Sequence, residues 1–228
     1  MRLGPEWKLT PWRAAVHLPS ATAVLADLHL GYAATRRAIG EAVPDCGTAE
    51  LDERLVALHH LGVRRLVIAG DLVERGRVNG PEAAAWVQTQ VWRGFELLLV
   101  PGNHDADLPT IPGLKVAREP VLVGGWDVRH EPGPGPCLAG HLHPVLRLPR
   151  YPGSVPCYLW HQGRLILPAQ SDDAAGVNVL SRPPWHEAEC LAIVRGEVVD
   201  LGTVRRLRRR HAPLSPTAWN PDRTSLPT

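Results

Sequence analysis

Five places along the chain set an acid, an amide or an imidazole just behind an apolar run. They are Asp27 and His29 in ADLHLG, Asp71 in IAGDLVERG, Asn103 and His104 in VPGNHD, His130 in VRHEP, and His141 and His143 in AGHLHP. Singly, each is what a turn or a hydrogen-bonded histidine after a strand presents. Together they are oxygen and imidazole donors with no lysine or cysteine inside the motifs. Such a set repels or desolvates itself unless something cationic sits among it. Its donor types suit Mn²⁺, Fe²⁺ or Zn²⁺, and the absence of thiolates argues against a closed structural zinc. The seven groups Asp27, His29, Asp71, Asn103, His130, His141 and His143 exceed one tetrahedral shell, whereas two ions sharing a carboxylate would use them all.

The elements that must position these groups come in two styles. Val24 to Ala26 reads as a short buried strand ending at Asp27, with Asp27 and His29 on one face as alternate residues of an extended chain. Tyr32 to Ile39 has helical character, Pro44 to Thr48 reads as a turn, and Ala49 opens a helix closed by Gly62. That helix repeats Leu51, Leu55, Leu58 and Leu61 at spacings of three and four. RRLVIAGD and FELLLVPGNHD read as buried parallel-type strands, and Pro81 to Trp92 as a helix with proline near its start. Alternating strand and helix, each strand running into a polar loop, predicts an α/β layered fold with its site at the carboxyl ends of the strands. After Pro120 the chain turns to short strands, with Gln162-Gly163 and Arg195-Gly196 as hairpin tips and no helix predicted.

With 228 residues and 44% hydrophobic content, the chain can bury the core of one domain. No apolar run approaches a membrane span. The opening MRLGPEWKLTPW has neither an apolar core nor a cleavage-site pattern, so no secretory leader is read. Four scattered cysteines give no disulfide framework, and reduced thiols in the cytoplasm are expected. Charge is uneven. Six of the 25 bases and one of the 23 acids lie from Val204 onward, so this end carries +5 and the rest −3. A single domain over 1–204 and a basic, flexible tail over 205–228 are the expected organisation. The tail is either a solvated terminus or a contact for a polyanion such as nucleic acid.

DLH, GD, GNHD, H and GHLH, in that order, resemble the five-motif signature of the calcineurin-like metallophosphoesterases, from Asp27 to His143. A narrower resemblance lies in ADLHLG, RRAIGEAVP, AGHLHP, CYLWHQGRLILPA and GVNVL. These are similar to the small bacterial phosphoesterases associated with a DNA ligase and a helicase in DNA-repair operons (the PdeM type). After Pro168 the chain carries AQSDDAAG, where that type tends to have an aromatic, Gly/Thr-rich loop.

The resemblance implies a layered β-sandwich flanked by helices, with a dinuclear site. Asp27, His29 and His143 would hold one ion, Asn103, His130 and His141 the other, and Asp71 would bridge them. Mn would be the favoured metal, with Fe and Zn as alternatives. His104 would be the catalytic imidazole, and a metal-bridging hydroxide would attack phosphorus in line. GDLVERG also resembles GDxVDRG of the protein Ser/Thr phosphatases, which makes Arg75 a candidate phosphate contact unless it pairs with Glu74 at the surface. The leading expectation is a phosphodiesterase acting on nucleic-acid-derived or nucleotide substrates, with repair ligase or helicase partners. A phosphomonoesterase and a metal-bound repair scaffold with little turnover are the alternatives.

Overall fold

RLVIA has no polar face, and the fold covers both of its sides. The computed structural model describes residues 3–44, 47–149 and 151–211. Among these the first sheet holds β1 (Trp7–Leu9), β2 (Ala15–His17), β3 (Thr22–Leu25), β4 (Arg65–Ala69), β5 (Glu96–Val100) and β6 (Leu114–Val116), in that spatial order. β1 to β3 pair antiparallel and β3 to β6 parallel. The parallel crossovers carry α1 (Tyr32–Ala38), α2 (Ala49–His60) and α3 (Gly80–Trp92).

Alternation along β4 sorts its side chains between two layers. Leu66 and Ile68 join Leu51, Leu55 and Leu58 of α2 and Val87 of α3 in one core. Val67 and Ala69 join Leu138, Tyr158 and Leu165 of the second sheet in another. Each fully buried leucine here contributes about 1.5–3 kcal/mol of transfer free energy.

The second sheet is built from β7 (Val121–Val123), β8 (Trp126–Arg129), β9 (Cys137–Ala139), β10 (Pro144–Leu146), β11 (Val155–His161), β12 (Arg164–Ile166), β13 (Val177–Asn178), β14 (Glu189–Val194) and β15 (Glu197–Thr203). Its order is β13-β10-β11-β12-β9-β8-β7, with β14 also paired to β11 and β15 to β14. Two sheets face to face with helices outside form the layered sandwich that the motifs imply. Tyr158 ties the sheets together: its buried hydroxyl donates to the carbonyls of Thr10 at 2.6 Å and Ala14 at 3.2 Å. Both hairpin tips are as read, with Gln162-Gly163 at φ 48° and 78° and Arg195-Gly196 at 51° and 78°, the left-handed pairs of tight two-residue turns.

The expectation for the C-terminal end changes. Val204–His211 is a helix, α4, and not the start of a flexible tail. Val204 and Leu207, three residues apart, are buried with Leu146, Cys157, Leu159 and Cys190 on the outer face of the second sheet. Residues 212–228 lie outside the described residues, as does Cys46, while Cys137, Cys157 and Cys190 are free and buried. Among the described residues no helix is long and apolar enough to cross a membrane.

Candidate metal centre

β3 ends at Leu25, so Asp27 and His29 are not alternate residues of a strand. They share a face because both adopt left-handed backbone, at φ 55° and 49°. Their amides donate to Gly70 O at 3.1 Å and Asp71 O at 2.9 Å, which carries the β3–β4 adjacency into paired turns. Asp71, His141 and His143 are left-handed too, at φ 49°, 68° and 47°. A non-glycine residue held there costs about 1–2 kcal/mol, and five such residues at one place mark a site that the surrounding fold over-determines.

The glycines before two of the ligand positions, Gly70 and Gly102, have a steric reason. A Cβ at Gly70 would lie 1.9 Å from His130 Nδ1, and one at Gly102 2.2 Å from Asp71 Oδ1. Only a bare backbone passes that close to the side chains it frames.

Two donor clusters result. Asp27, His29, Asp71 and His143 converge in one, and Asp71, His130 and His141 in the other, so Asp71 belongs to both. In the first, His29 Nε2 faces His143 Nε2 at 3.2 Å and Asp71 Oδ2 at 3.8 Å, and His143 Nε2 lies 3.6 Å from Asp27 Oδ2. In the second, His130 Nε2 lies 2.9 Å from His141 Nδ1, 2.9 Å from Asn103 Oδ1 and 3.4 Å from Asp71 Oδ2.

The donor set fits divalent cations on its own chemistry. Asp27 Oδ1 is buried without a hydrogen-bond partner. The Nδ1 atom of His29 faces the Glu74 carboxylate at 2.9 Å, so it carries the proton and the Nε2 lone pair turns inward. Two donors each about 2.1 Å from one ion lie about 3.0 Å apart at a right angle and about 3.4 Å apart at a tetrahedral one, and the separations here run from 2.9 to 3.8 Å.

His104 belongs to a third arrangement beside the first cluster. Its Nδ1 donates to Glu74 O at 2.7 Å, and its amide donates to Asp71 Oδ1 at 3.0 Å. Glu74 therefore serves two histidines, His104 through its carbonyl and His29 through its carboxylate. Arg75 is exposed, and among the described residues its guanidinium meets no carboxylate, so the surface pair with Glu74 does not form. Its amide donates to Asn79 Oδ1 at 2.9 Å. Asp105 braces the loop, accepting from Gly102 N at 2.8 Å and Val73 N at 3.3 Å. Burial pushes its carboxyl above the usual range, and those same amides pull it back in part.

Sequence reasoning passed over what backs the first cluster. The amides of Gln170 and Ser171 donate to Ala26 O and Asp27 O at 2.9 and 3.1 Å. Asp172 is clamped between Arg13 and Arg54. Although burial pushes its carboxyl up, the two guanidiniums win and hold it below the usual range. Arg13 also donates to the carbonyls of Ala169, Gln170 and Ser171. The SDD of AQSDDAAG was the available signal. Trp160 meets Trp126 edge to face at 5.6 Å and Trp185 packs on the outer core, so both are taken up in packing.

Residues 21–187 match the family model for calcineurin-like phosphoesterases. The crystal structure of the Pseudomonas putida nuclease MPE aligns with a TM-score of 0.65, covering 86% of this chain and 94% of that one at 24% identity. At that identity the likeness is one of fold. No curated protein matches the sequence.

Proposed function

The chain belongs to the calcineurin-like phosphoesterase family and is a hydrolase of phosphoester bonds; from that premise we propose that it works with two divalent ions and opens phosphodiesters of the nucleic-acid kind. Asp27, His29 and His143 would hold one ion, Asn103, His130 and His141 the other, and Asp71 would be shared between them. The observation that carries this reading is the double membership of Asp71 in the two donor clusters. When bound, the ions supply Lewis acidity at the phosphoryl oxygens and a hydroxide at neutral pH.

The chain's own residues do the rest. Asp71 Oδ1 accepts the His104 amide, so the shared carboxylate braces the backbone that carries the catalytic imidazole. A carbonyl only accepts, so His104 Nδ1 carries its proton toward Glu74 O, and Nε2 is the atom left for the substrate. With a second proton taken up from solvent, Nε2–H stabilises charge on the phosphoryl oxygens or passes that proton to the leaving oxygen, and the ring returns to its Nδ1–H form. Arg75, exposed four residues after Asp71 and with no carboxylate partner among the described residues, is the proposed phosphate contact.

A diester of nucleic-acid type is supported by the shared fold with a nuclease and by the resemblance to repair-operon phosphoesterases. Mn²⁺ is the proposed metal because hard oxygen donors and imidazoles mix in both clusters. The test is hydrolysis of a bis-aryl phosphate and of the matching monoester by chelator-stripped protein, reloaded with Mn²⁺, Fe²⁺ or Zn²⁺ in turn. Activity that returns with metal, favours the diester and falls roughly a thousandfold in Asp71→Asn supports the reading. Full activity in the stripped protein contradicts it, and preference for the monoester turns it toward a phosphatase.

A further inference from the structure

We propose that a groove under α4, apart from the metal centre, binds single-stranded nucleic acid; this rests on the nucleic-acid reading of the substrate given above. The groove has a volume of about 930 Å³. Its floor is apolar, with Leu146, Val155 and Leu207 among its residues, and its rim carries Arg206 and Arg210 from α4 and Tyr151. Arg206 and Arg210 stand one helical turn apart and so share a face.

Charge and surface chemistry point to the occupant. Arg205 is paired with Glu187, but among the described residues neither Arg206 nor Arg210 meets a carboxylate. The acid in the groove, Asp200, has one oxygen engaged by the Gly202 amide at 2.8 Å. Tyr151 is 67% exposed, which leaves a ring face open to stack on. Uncancelled guanidiniums over an apolar floor, next to an open aromatic ring, match a strand that offers phosphates and unpaired bases together. A duplex keeps its base faces stacked inside and has nothing for Tyr151. A membrane surface fits poorly, because Val204 and Leu207, the apolar side of α4, are already buried in the core.

Position adds to the argument. β10 leaves His143 and reaches the groove at Leu146, about 10 Å along an extended chain. Leu146 pairs with Val155 on the groove side, while the neighbouring rung Val145–Pro156 lines the cleft that holds His143. Successive rungs face opposite sides of the sheet, so a strand gripped by α4 reaches the centre around the sheet's edge, three residues along β10, and its capture raises the local concentration of phosphodiester there.

The test is fluorescence anisotropy of labelled single-stranded DNA and RNA oligonucleotides with the full chain, in chelator to stop hydrolysis, over a series of salt concentrations. The Arg206→Ala/Arg210→Ala protein is expected to bind more weakly, with the slope of log affinity against log salt smaller by about 1.4. Tyr151→Ala is expected to bind roughly tenfold more weakly at unchanged slope, since stacking involves no counterions. Both variants should hydrolyse a small bis-aryl phosphate at the wild-type rate. Unchanged affinity and slope in the double variant would overturn the proposal. So would loss of binding on deleting 212–228 with both arginines intact, or arginine-dependent retention on anionic vesicles without oligonucleotide binding. A wild-type protein inert toward the small diester would count against the functional reading alone, since binding is measured without turnover.

Discussion

The two halves of the candidate centre share Asp71 but differ in how deeply they are set. Asp27 is fully buried and His29 is 5% exposed, with Glu74 behind the ring and the Arg13–Asp172–Arg54 clamp behind the loop that covers them. Across Asp71, His130 is nearly as buried as His29, but Asn103 is exposed and the His141 side chain is 45% exposed. A buried carboxylate and a carboxylate-backed imidazole favour tight, slowly exchanging metal, whereas an open neutral amide and an open ring favour a looser ion within reach of substrate. On the reading proposed above, one half is the anchor and the other the working face.

The largest effect should come where neither half is touched. His104→Ala leaves every donor in place, so both ions should still bind while turnover of a bis-aryl phosphate falls roughly 10²–10⁴-fold. Loss of metal along with activity would mean that His104 is structural.

Glu74→Gln sharpens the comparison from the anchored side. It removes the charge behind His29 but keeps the carbonyl that holds His104. Affinity for the tighter ion should drop about 10–100-fold, read by equilibrium dialysis, with the looser ion unchanged. Equal loss at both would erase the distinction between the halves.

Asp172→Asn acts at one remove. It leaves Arg13 and Arg54 facing each other with side chains only 14% and 11% exposed, at a cost of about 3 kcal/mol, or about 6–12 °C in Tm. Because the folded protein holds this carboxyl below its ordinary range, its stabilisation is complete above that range and disappears as pH falls through the lowered value. The Tm gap between variant and parent should therefore hold from neutral pH to about pH 4 and close below it. A constant gap at acid pH would show that the amide's shape, and not the lost charge, is responsible.

What was legible in the sequence divides along the same line. Strand ends followed by Asp, Asn and His could be read because parallel strands are continuous apolar runs, and their loops gather at one edge. The conformation of those loops could not be read. Asp27 and His29 looked like alternate strand residues, yet left-handed turns locked to Gly70 and Asp71 are what aim them. Nothing in GDLVERG shows that the extra methylene of Glu74 carries its carboxylate to His29. The clamp on Asp172 joins residues 159 positions apart, a contact that only the assembled sheets create. α4 was hidden by its charge: five arginines read as a solvated end, although Val204 and Leu207 already stood at helical spacing.

The central claim is that Asp71 joins two unequal metal sites, and calorimetric titration of the chelator-stripped protein with Mn²⁺ tests it most directly. The account predicts two ions per chain with separable affinities. His143→Ala should remove the tighter ion, His141→Ala the looser one, and Asp71→Asn should weaken both. A single ion per chain, or loss of the same ion in His143→Ala and His141→Ala, would contradict it.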